Sequence, residues 1–262
     1  MAEPGIIFLM YHELELPARS VSQTDPGYVR YVLPISEFRE QMQSLKRLGM
    51  RGLSVSDALV FPDEPAVAIT FDDGSETDLL SAVPVLQELG FGATFYVTVG
   101  FLGRRGYMSH EQLQELRDLG FEIGCHSLTH AYLTDLDQAG LHREIIEAKQ
   151  QLEEIAGKPI EHFSCPGGRY DGGVAKMARD AGYASVATSR AHANSRSTDP
   201  FALGRVAVLR GTAPRKFDAL CRGSGLWQLT ARDTAQATAR RLLGNSLYDR
   251  VRAVLLGGGP AQ

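Results

Sequence analysis

Apolar runs bounded by glycine, proline and helix-capping residues alternate along the chain with stretches of helical periodicity. The runs predict core strands over residues 5–12, 66–72, 93–99, 121–126, 161–165, 183–188 and 204–209. Amphipathic spacing predicts helices over 36–48, 78–89, 110–119, 138–155 and 172–181. Ser109 followed by Gln112 is a capping-box start. Gly49, Gly90, Gly120, Gly157 and Gly182 stand where helices of this length end, a place that favours a residue free to adopt positive φ. The run Ala66-Val67-Ala68-Ile69-Thr70-Phe71 is apolar on both faces, which fits a strand of a parallel sheet covered on each side.

Strictly alternating strands and helices imply a parallel sheet with right-handed crossovers. Seven core strands in a chain of 262 residues point to a closed or nearly closed α/β barrel, with an open doubly wound sheet as the alternative. We expect a single domain over 1–262, its core at about 5–210 and a helical extension over 211–262. Residues 13–34 and 189–200 carry Pro, Ser, Asp and Gly with little periodicity and read as long loops, a kind usually tied to function. The tail over 227–256 spaces Leu242, Leu243, Leu247, Val251 and Leu255 as on an outer helix packed against the domain. The chain shows no internal repeat, no phosphate-binding Walker loop and no dinucleotide fingerprint.

Composition narrows the partners. With 44% hydrophobic and 22% charged residues the chain has the balance of an ordinary folded core. Its 27 basic against 31 acidic residues give no electrostatic pull toward nucleic acid or an anionic membrane. The apolar run from Ile6 to Tyr11 is too short for a membrane span or a signal-peptide core, and no basic segment precedes it, so a cytoplasmic location and no transmembrane segment are expected. Cys125, Cys165 and Cys221 are too few for a disulfide framework and read as small buried residues.

The candidate chemistry lies where strands stop. Thr70-Phe71-Asp72-Asp73-Gly74 ends one core run, and His126-Ser127-Leu128-Thr129-His130 follows another. His126 and His130 are four apart, so on a helical turn or a loop of similar pitch both imidazoles can face one point. Taken alone the pair can arise on a solvated face, and Asp72-Asp73-Gly74 can be a plain acidic turn. Together, Asp73, His126 and His130 make a two-His, one-carboxylate set that leaves room for water and substrate around one divalent metal. Asp72, beside the ligand, is the candidate general base. Neighbours on a regular strand point to opposite faces, so the strand must end or twist here for both carboxylates to serve one site, and Gly74 permits such a turn. His12, at the end of the first run, is the candidate acid for the leaving group. Ser164-Cys165-Pro166-Gly167-Gly168-Arg169-Tyr170 follows a further strand, and a backbone N–H at Gly167 or Gly168 could face an oxyanion, with Arg169 pairing with Asp72 or substrate.

The two motifs, in this order and at this separation, resemble those of the polysaccharide deacetylases of the NodB-homology type, carbohydrate esterase family 4, over about Ile6 to Val208. The resemblance implies a distorted (β/α)₇ barrel, Asp72 as base, Asp73, His126 and His130 as metal ligands, and removal of acetyl groups from an N-acetylated sugar. It implies one divalent cation, with Zn²⁺ the first choice and Co²⁺ or Ni²⁺ also suited to imidazole and carboxylate. Two departures stand out. The third motif usually reads Arg-x-Pro-Tyr-Gly, whereas Ser164-Cys165-Pro166-Gly167-Gly168 lacks both Arg and Tyr, so orientation of the base falls to Arg169 or Arg205. A late Leu-x-His motif is absent, and Leu9-Met10-Tyr11-His12 stands first instead, similar to the permuted branch with poly-N-acetylglucosamine deacetylases, which strengthens His12 as the acid.

The expected function is thus a metal-dependent hydrolase acting on a carbon–nitrogen bond of an acetylated saccharide, such as an exopolysaccharide or its precursor. Gly167, Gly168, Arg169 and Arg205 are the expected substrate and oxyanion residues. The alternatives are the same chemistry on a non-sugar amide, as in allantoinase-like relatives, and a metal-retaining, sugar-binding pseudoenzyme.

Overall fold

The structure, a computed structural model, describes residues 5–17 and 19–243. Its strands are β1 (Ile7–Tyr11), β2 (Leu14–Glu15), β3 (Leu33–Pro34), β4 (Arg51–Leu53), β5 (Ala66–Asp73), β6 (Thr94–Val97), β7 (Glu122–Cys125), β8 (His162–Ser164), β9 (Ser185–Ala187) and β10 (Val206–Ala207). The main sheet runs β10-β1-β5-β6-β7-β8-β9, all parallel. Its ends meet, because Ala187 of β9 bridges Leu203 on the segment that leads into β10. The result is the expected distorted barrel, whose closure rests on very few residues.

Strand parity sorts the side chains. In β5, Val67, Ile69 and Phe71 belong to the large core between barrel and helices, while Ala66 and Ala68 belong to a smaller cluster with Phe8, Tyr96, Ala187 and Leu203 inside the barrel. A row of rings seals the outer layer: Tyr11 on Phe71 at 5.3 Å, Phe71 on Phe95 at 4.9 Å, and Phe95 edge-on to Phe121 at 5.6 Å. Inside, the Tyr96 ring lies over Gly124, where a Cβ would come within 2.4 Å of it. Volume is complementary across the barrel: the large residue on β6 demands none on β7.

β4 and the short helix after it lie outside the predicted set. β4 takes the lower part of the β5 edge that β6 takes higher up, pairing Arg51 to Leu53 with Ala66 to Ala68. It feeds the helix Val55–Leu59, which plugs the end of the barrel away from the site. There the Glu122 carboxylate accepts the N–H groups of Val55 (3.0 Å) and Ser56 (3.3 Å), a negative charge on a helix N-terminus. His162, also at this end, is buried between Ser56 and Ser185, with ring nitrogens 2.8 Å from each hydroxyl. The helix Pro214–Cys221 lies between β10 and the terminal helix.

The remaining helices fall close to their predicted spans, and the five glycines all have positive φ. Two spans are interrupted. Asp78–Ala82 is a π-turn before Val83–Leu89, where Pro84 cannot supply an N–H to the ladder, and His142–Glu147 is a π-segment leading into Ala148–Ala156. The loop over 13–34 contains the short β2–β3 pair and a turn of helix at Pro26–Val29. The terminal helix spans Leu226–Leu243; Leu247, Val251 and Leu255 lie outside the described residues, as do the side chains of Leu242 and Leu243. All three cysteines are buried and free, as expected. Among the described residues no helix is long and apolar enough to cross a membrane.

Gly124→Ala is expected to overpack the barrel interior against Tyr96, costing about 1–3 kcal/mol. Urea unfolding should show the lower midpoint with an unchanged slope; a midpoint equal to wild type would mean that the ring can move away freely.

Candidate active site

Parity places Asp72 on the inner face of β5, with Thr70, and would send Asp73 to the outer face. Asp73 instead adopts φ 80°, followed by Gly74 at φ 81°. Left-handed backbone at two consecutive positions turns the second carboxylate back over the strand end, so both acids reach one rim. Gly74 packs on Val97, whose Cγ1 would lie 3.1 Å from a Cβ there, and its positive φ independently disfavours a side chain.

The segment His126–His130 is a loop, and the helical turn considered from its spacing does not form. Ser127 (φ 69°) and His130 (φ 66°) are both left-handed. Glu144, buried on the helical segment behind, fixes this path: its carboxylate accepts the N–H groups of Leu128 (3.0 Å) and Thr129 (2.8 Å) and the Thr129 hydroxyl (2.6 Å). The Ser127 hydroxyl accepts the His130 N–H at 3.0 Å. Two imidazoles therefore converge through strained backbone held by a buried acid.

His126 Nδ1 lies 2.9 Å from the Ser164 carbonyl, which fixes the tautomer and turns Nε2 toward Asp73. Burial pushes its pKa down to about 4, against the pull of Asp72, so the ring is neutral at pH 7. Asp73 Oδ1 lies 3.6 Å from His126 Nε2 and 3.4 Å from His130 Nε2. It is buried and has no hydrogen-bond partner among the described residues. Ligand atoms held at about 2.0–2.1 Å from a tetrahedral ion stand roughly 3.3–3.5 Å apart. An orphaned carboxylate oxygen at about that spacing from two imidazole nitrogens fits a divalent cation, and the three donor atoms form the one such cluster among the described residues. Phe101 stacks on His130 at 5.9 Å, with Tyr107 against Phe101 at 4.6 Å, giving this side an aromatic wall.

Asp72 has a different environment. Arg205, with its side chain fully buried, donates to Oδ1 from Nη1 (2.7 Å) and to Oδ2 from Nη2 (2.8 Å). The Ser164 hydroxyl accepts from Nη2 at 2.7 Å. Burial alone would raise the Asp72 pKa, but the Arg205 charge and its two hydrogen bonds outweigh it and hold the carboxyl well below its usual range. Arg205 is thus the residue that orients the Asp72 carboxylate, and both its terminal nitrogens are committed there rather than to the substrate or oxyanion role expected for it.

His12 follows β1 at the same rim, half-buried, its ring 4.7 Å from Tyr31 and its buried Nδ1 without a hydrogen-bond partner among the described residues. Burial lowers its pKa, against the attraction of Asp73 and Asp72. In the third motif the choice between the Gly167 and Gly168 N–H groups is settled in favour of Gly167. The Gly168 N–H is spent on the Cys165 carbonyl (2.9 Å) and the Arg169 N–H on Pro166 (3.1 Å), while the turn's own bonds leave out the Gly167 N–H. Arg169 does not pair with Asp72, where Arg205 holds both oxygens; its guanidinium lies 4.5 Å from the Tyr132 ring centroid. His110, His142, His162 and His192 take no part in the cluster.

Glu144 and Ser164 hold the candidate site residues in place, and sequence reasoning does not reach either of them. Glu144 carries a signal: it falls at a core-facing position between Leu141, Ile145 and Ala148, where an acid needs buried donors. Ser164 carries none.

Known proteins with related sequences and folds carry this arrangement further. The family model described as polysaccharide deacetylase matches residues 61–186. YxkH of Bacillus subtilis (strain 168), designated a polysaccharide deacetylase, is 30% identical over 193 residues, covering 71% of this chain and 69% of its own length. A peptidoglycan-N-acetylglucosamine deacetylase of Bacillus cereus is 33% identical over 126 residues, covering 47% of this chain and 56% of that protein, so the match spans little more than half of its length. The crystal structure of BC0361, a polysaccharide deacetylase from Bacillus cereus, superposes with a TM-score of 0.73 at 24% identity, covering 83% of this chain and 69% of that one. This last likeness establishes the fold.

Arg205→Ala leaves the Asp72 carboxylate buried without its counter-charge, an expected loss of about 3–5 kcal/mol in urea unfolding at pH 7. Because folding depresses the Asp72 pKa, its contribution is present above pH about 4 and fades as pH falls further. Stability of the wild type should therefore drop on acidification through that window, and the variant should show a flatter profile there. Parallel profiles would assign the acid sensitivity to other groups.

Proposed function

This chain belongs to the polysaccharide deacetylase family, and on that premise we propose that it hydrolyses the acetamide of an N-acetylated saccharide, releasing acetate and a free amine. The observation that carries this reading is the convergence of Asp73, His126 and His130 beside a second carboxylate that Arg205 keeps ionised. The substrate class rests on relatives named for their action on N-acetylglucosamine of peptidoglycan and on chitooligosaccharides. An exopolysaccharide or its precursor is the polymer we propose.

Asp73, His126 and His130 would hold one divalent cation, for which Zn²⁺ is our first choice and Co²⁺ or Ni²⁺ alternatives. When bound, such a cation supplies Lewis acidity, polarising the acyl oxygen and easing ionisation of water nearby. Asp72 takes the proton from the attacking water. Its bidentate clasp by Arg205 keeps the carboxylate aimed and anionic throughout the neutral range, at the cost of some basicity. The Gly167 N–H is available to the oxyanion of the tetrahedral intermediate. His12, near enough to sense both aspartates, returns a proton to the departing amine. Its imidazole, favoured in the neutral form by desolvation, first takes that proton up from solvent, and Asp72 releases the proton it accepted to solvent once the amine has left.

The altered third motif lends the pseudoenzyme reading its only support, and Arg205 removes most of it: the function of the missing arginine is supplied from the other end of the sheet. Acetate release from N-acetylglucosamine oligomers, measured with and without chelator, tests the proposal. Turnover should vanish on chelation and in Asp73→Ala, together with metal content. Asp72→Asn should keep its metal and lose about 10²- to 10⁴-fold in kcat, the usual worth of a general base. Metal retention with wild-type kcat in that variant would remove Asp72 from the mechanism. His12→Gln should lose activity on amides while retaining most of it on an activated aryl acetate, whose leaving group needs no proton; equal losses on both would deny His12 the role of acid.

A further inference from the structure

Tyr132 is 40% exposed. Among the described residues the other exposed large apolar side chains, Val60, Leu80, Leu119 and Trp227, lie on or at the ends of helices, whereas Tyr132 belongs to the loop that has just delivered His130. Its ring is braced from beneath. The Arg169 guanidinium, itself buried, lies 4.5 Å from the ring centroid. On another side the ring approaches Gly167 so closely that a Cβ there would sit 2.7 Å from Cε1. Gly167 also has φ 57°, so both its backbone and the adjoining ring exclude a side chain at this position. The Tyr132 carbonyl accepts the Asp135 N–H at 3.0 Å, anchoring the backbone in the turn that follows.

These contacts explain why the third motif reads Pro-Gly-Gly: glycine there makes room for an aromatic ring brought from a different loop. A ring held by a cation and a glycine, with its remaining surface open to solvent, is a rigid apolar plate with a polar tip. It stands beside the one N–H that the turn leaves available to an oxyanion. The axial C–H face of a pyranose is complementary to such a plate, and its hydroxyls can meet the phenol edge.

We propose that Tyr132 is a substrate-positioning residue, a stacking platform for a sugar ring adjoining the acetamide that is hydrolysed. The proposal rests on the deacetylase reading and adds a binding determinant to it: saccharide length and orientation are sensed by an aromatic face carried on Arg169 and Gly167. The platform acts on the sugar and leaves the acetyl chemistry untouched.

The test compares wild type with Tyr132→Ala, Tyr132→Phe and Gly167→Ala on two substrates, the N-acetylglucosamine tetramer and a small aryl acetate. Tyr132→Ala should raise KM for the tetramer about five- to tenfold, with kcat and aryl acetate turnover within about twofold of wild type. Tyr132→Phe should restore most of the affinity, and Gly167→Ala should raise KM by displacing the ring. An unchanged KM in Tyr132→Ala, or equal losses on both substrates, would overturn the platform while leaving the deacetylase reading intact. Calorimetric titration of the tetramer into Asp72→Asn protein, with and without Tyr132→Ala, measures binding independently of turnover. A Kd weakened about five- to tenfold by the second substitution supports the platform even if the wild type releases no acetate, an outcome that sinks the deacetylase reading alone. Equal Kd values, or no tetramer binding in either protein, overturn it.

Discussion

Adjacent residues of a β-strand diverge, and this site needs two adjacent carboxylates to converge. The left-handed turn at Asp73 and Gly74 resolves that conflict, and the rest of the site is arranged around it. Non-glycine residues at positive φ cost of order 1–3 kcal/mol each, and Asp73, Ser127 and His130 all carry that cost. The surroundings that enforce it are visible: Val97 packed on Gly74, Glu144 clasping Leu128 and Thr129, and the Ser127 hydroxyl holding the His130 backbone. Strain at this rim falls on Asp73, Ser127 and His130, while the strands beneath keep regular parallel pairing.

Once both acids share a rim, their environments separate them. Asp72 is clasped by Arg205 and hydrogen-bonded through both oxygens, whereas Asp73 Oδ1 is left without a partner among the described residues. A buried ion pair gains little net stability, because desolvation opposes its attraction. Its value at this place is geometric: it fixes a carboxylate in one orientation and one charge state. Arg205 can do this because β10 pairs with β1 and β1 with β5, so the residue that precedes β10 reaches Asp72 near the end of β5 across one strand. The short pairing of β10 on β1 is therefore as important to the orientation of Asp72 as the arginine itself.

Much of this is legible without the fold. Long apolar runs mark the barrel strands, because burial on both faces leaves an unmistakable run, and the helix ends are marked by glycines whose positive φ few other residues tolerate. β4 escapes because Arg51-Gly52-Leu53 is too short to show a period, and its burial comes from pairing with β5 rather than from its own composition. The His126–His130 spacing suggests a helical turn. The same convergence arises in a loop because Glu144 supplies the hydrogen bonds that a helix would have supplied itself.

The sequence by itself determined the donor set, the strand ends on which it sits, and the need for the strand to end or twist at Asp72 and Asp73, since these follow from residue type and from the two-residue period of a strand. Tertiary structure decided the partners. Whether Arg169 or Arg205 reaches Asp72, whether Gly167 or Gly168 keeps a free N–H, and which ring fills the space over Gly167 depend on how distant strands and loops close on one another. Those distances are set by packing across the barrel, and no local spacing in the chain encodes them.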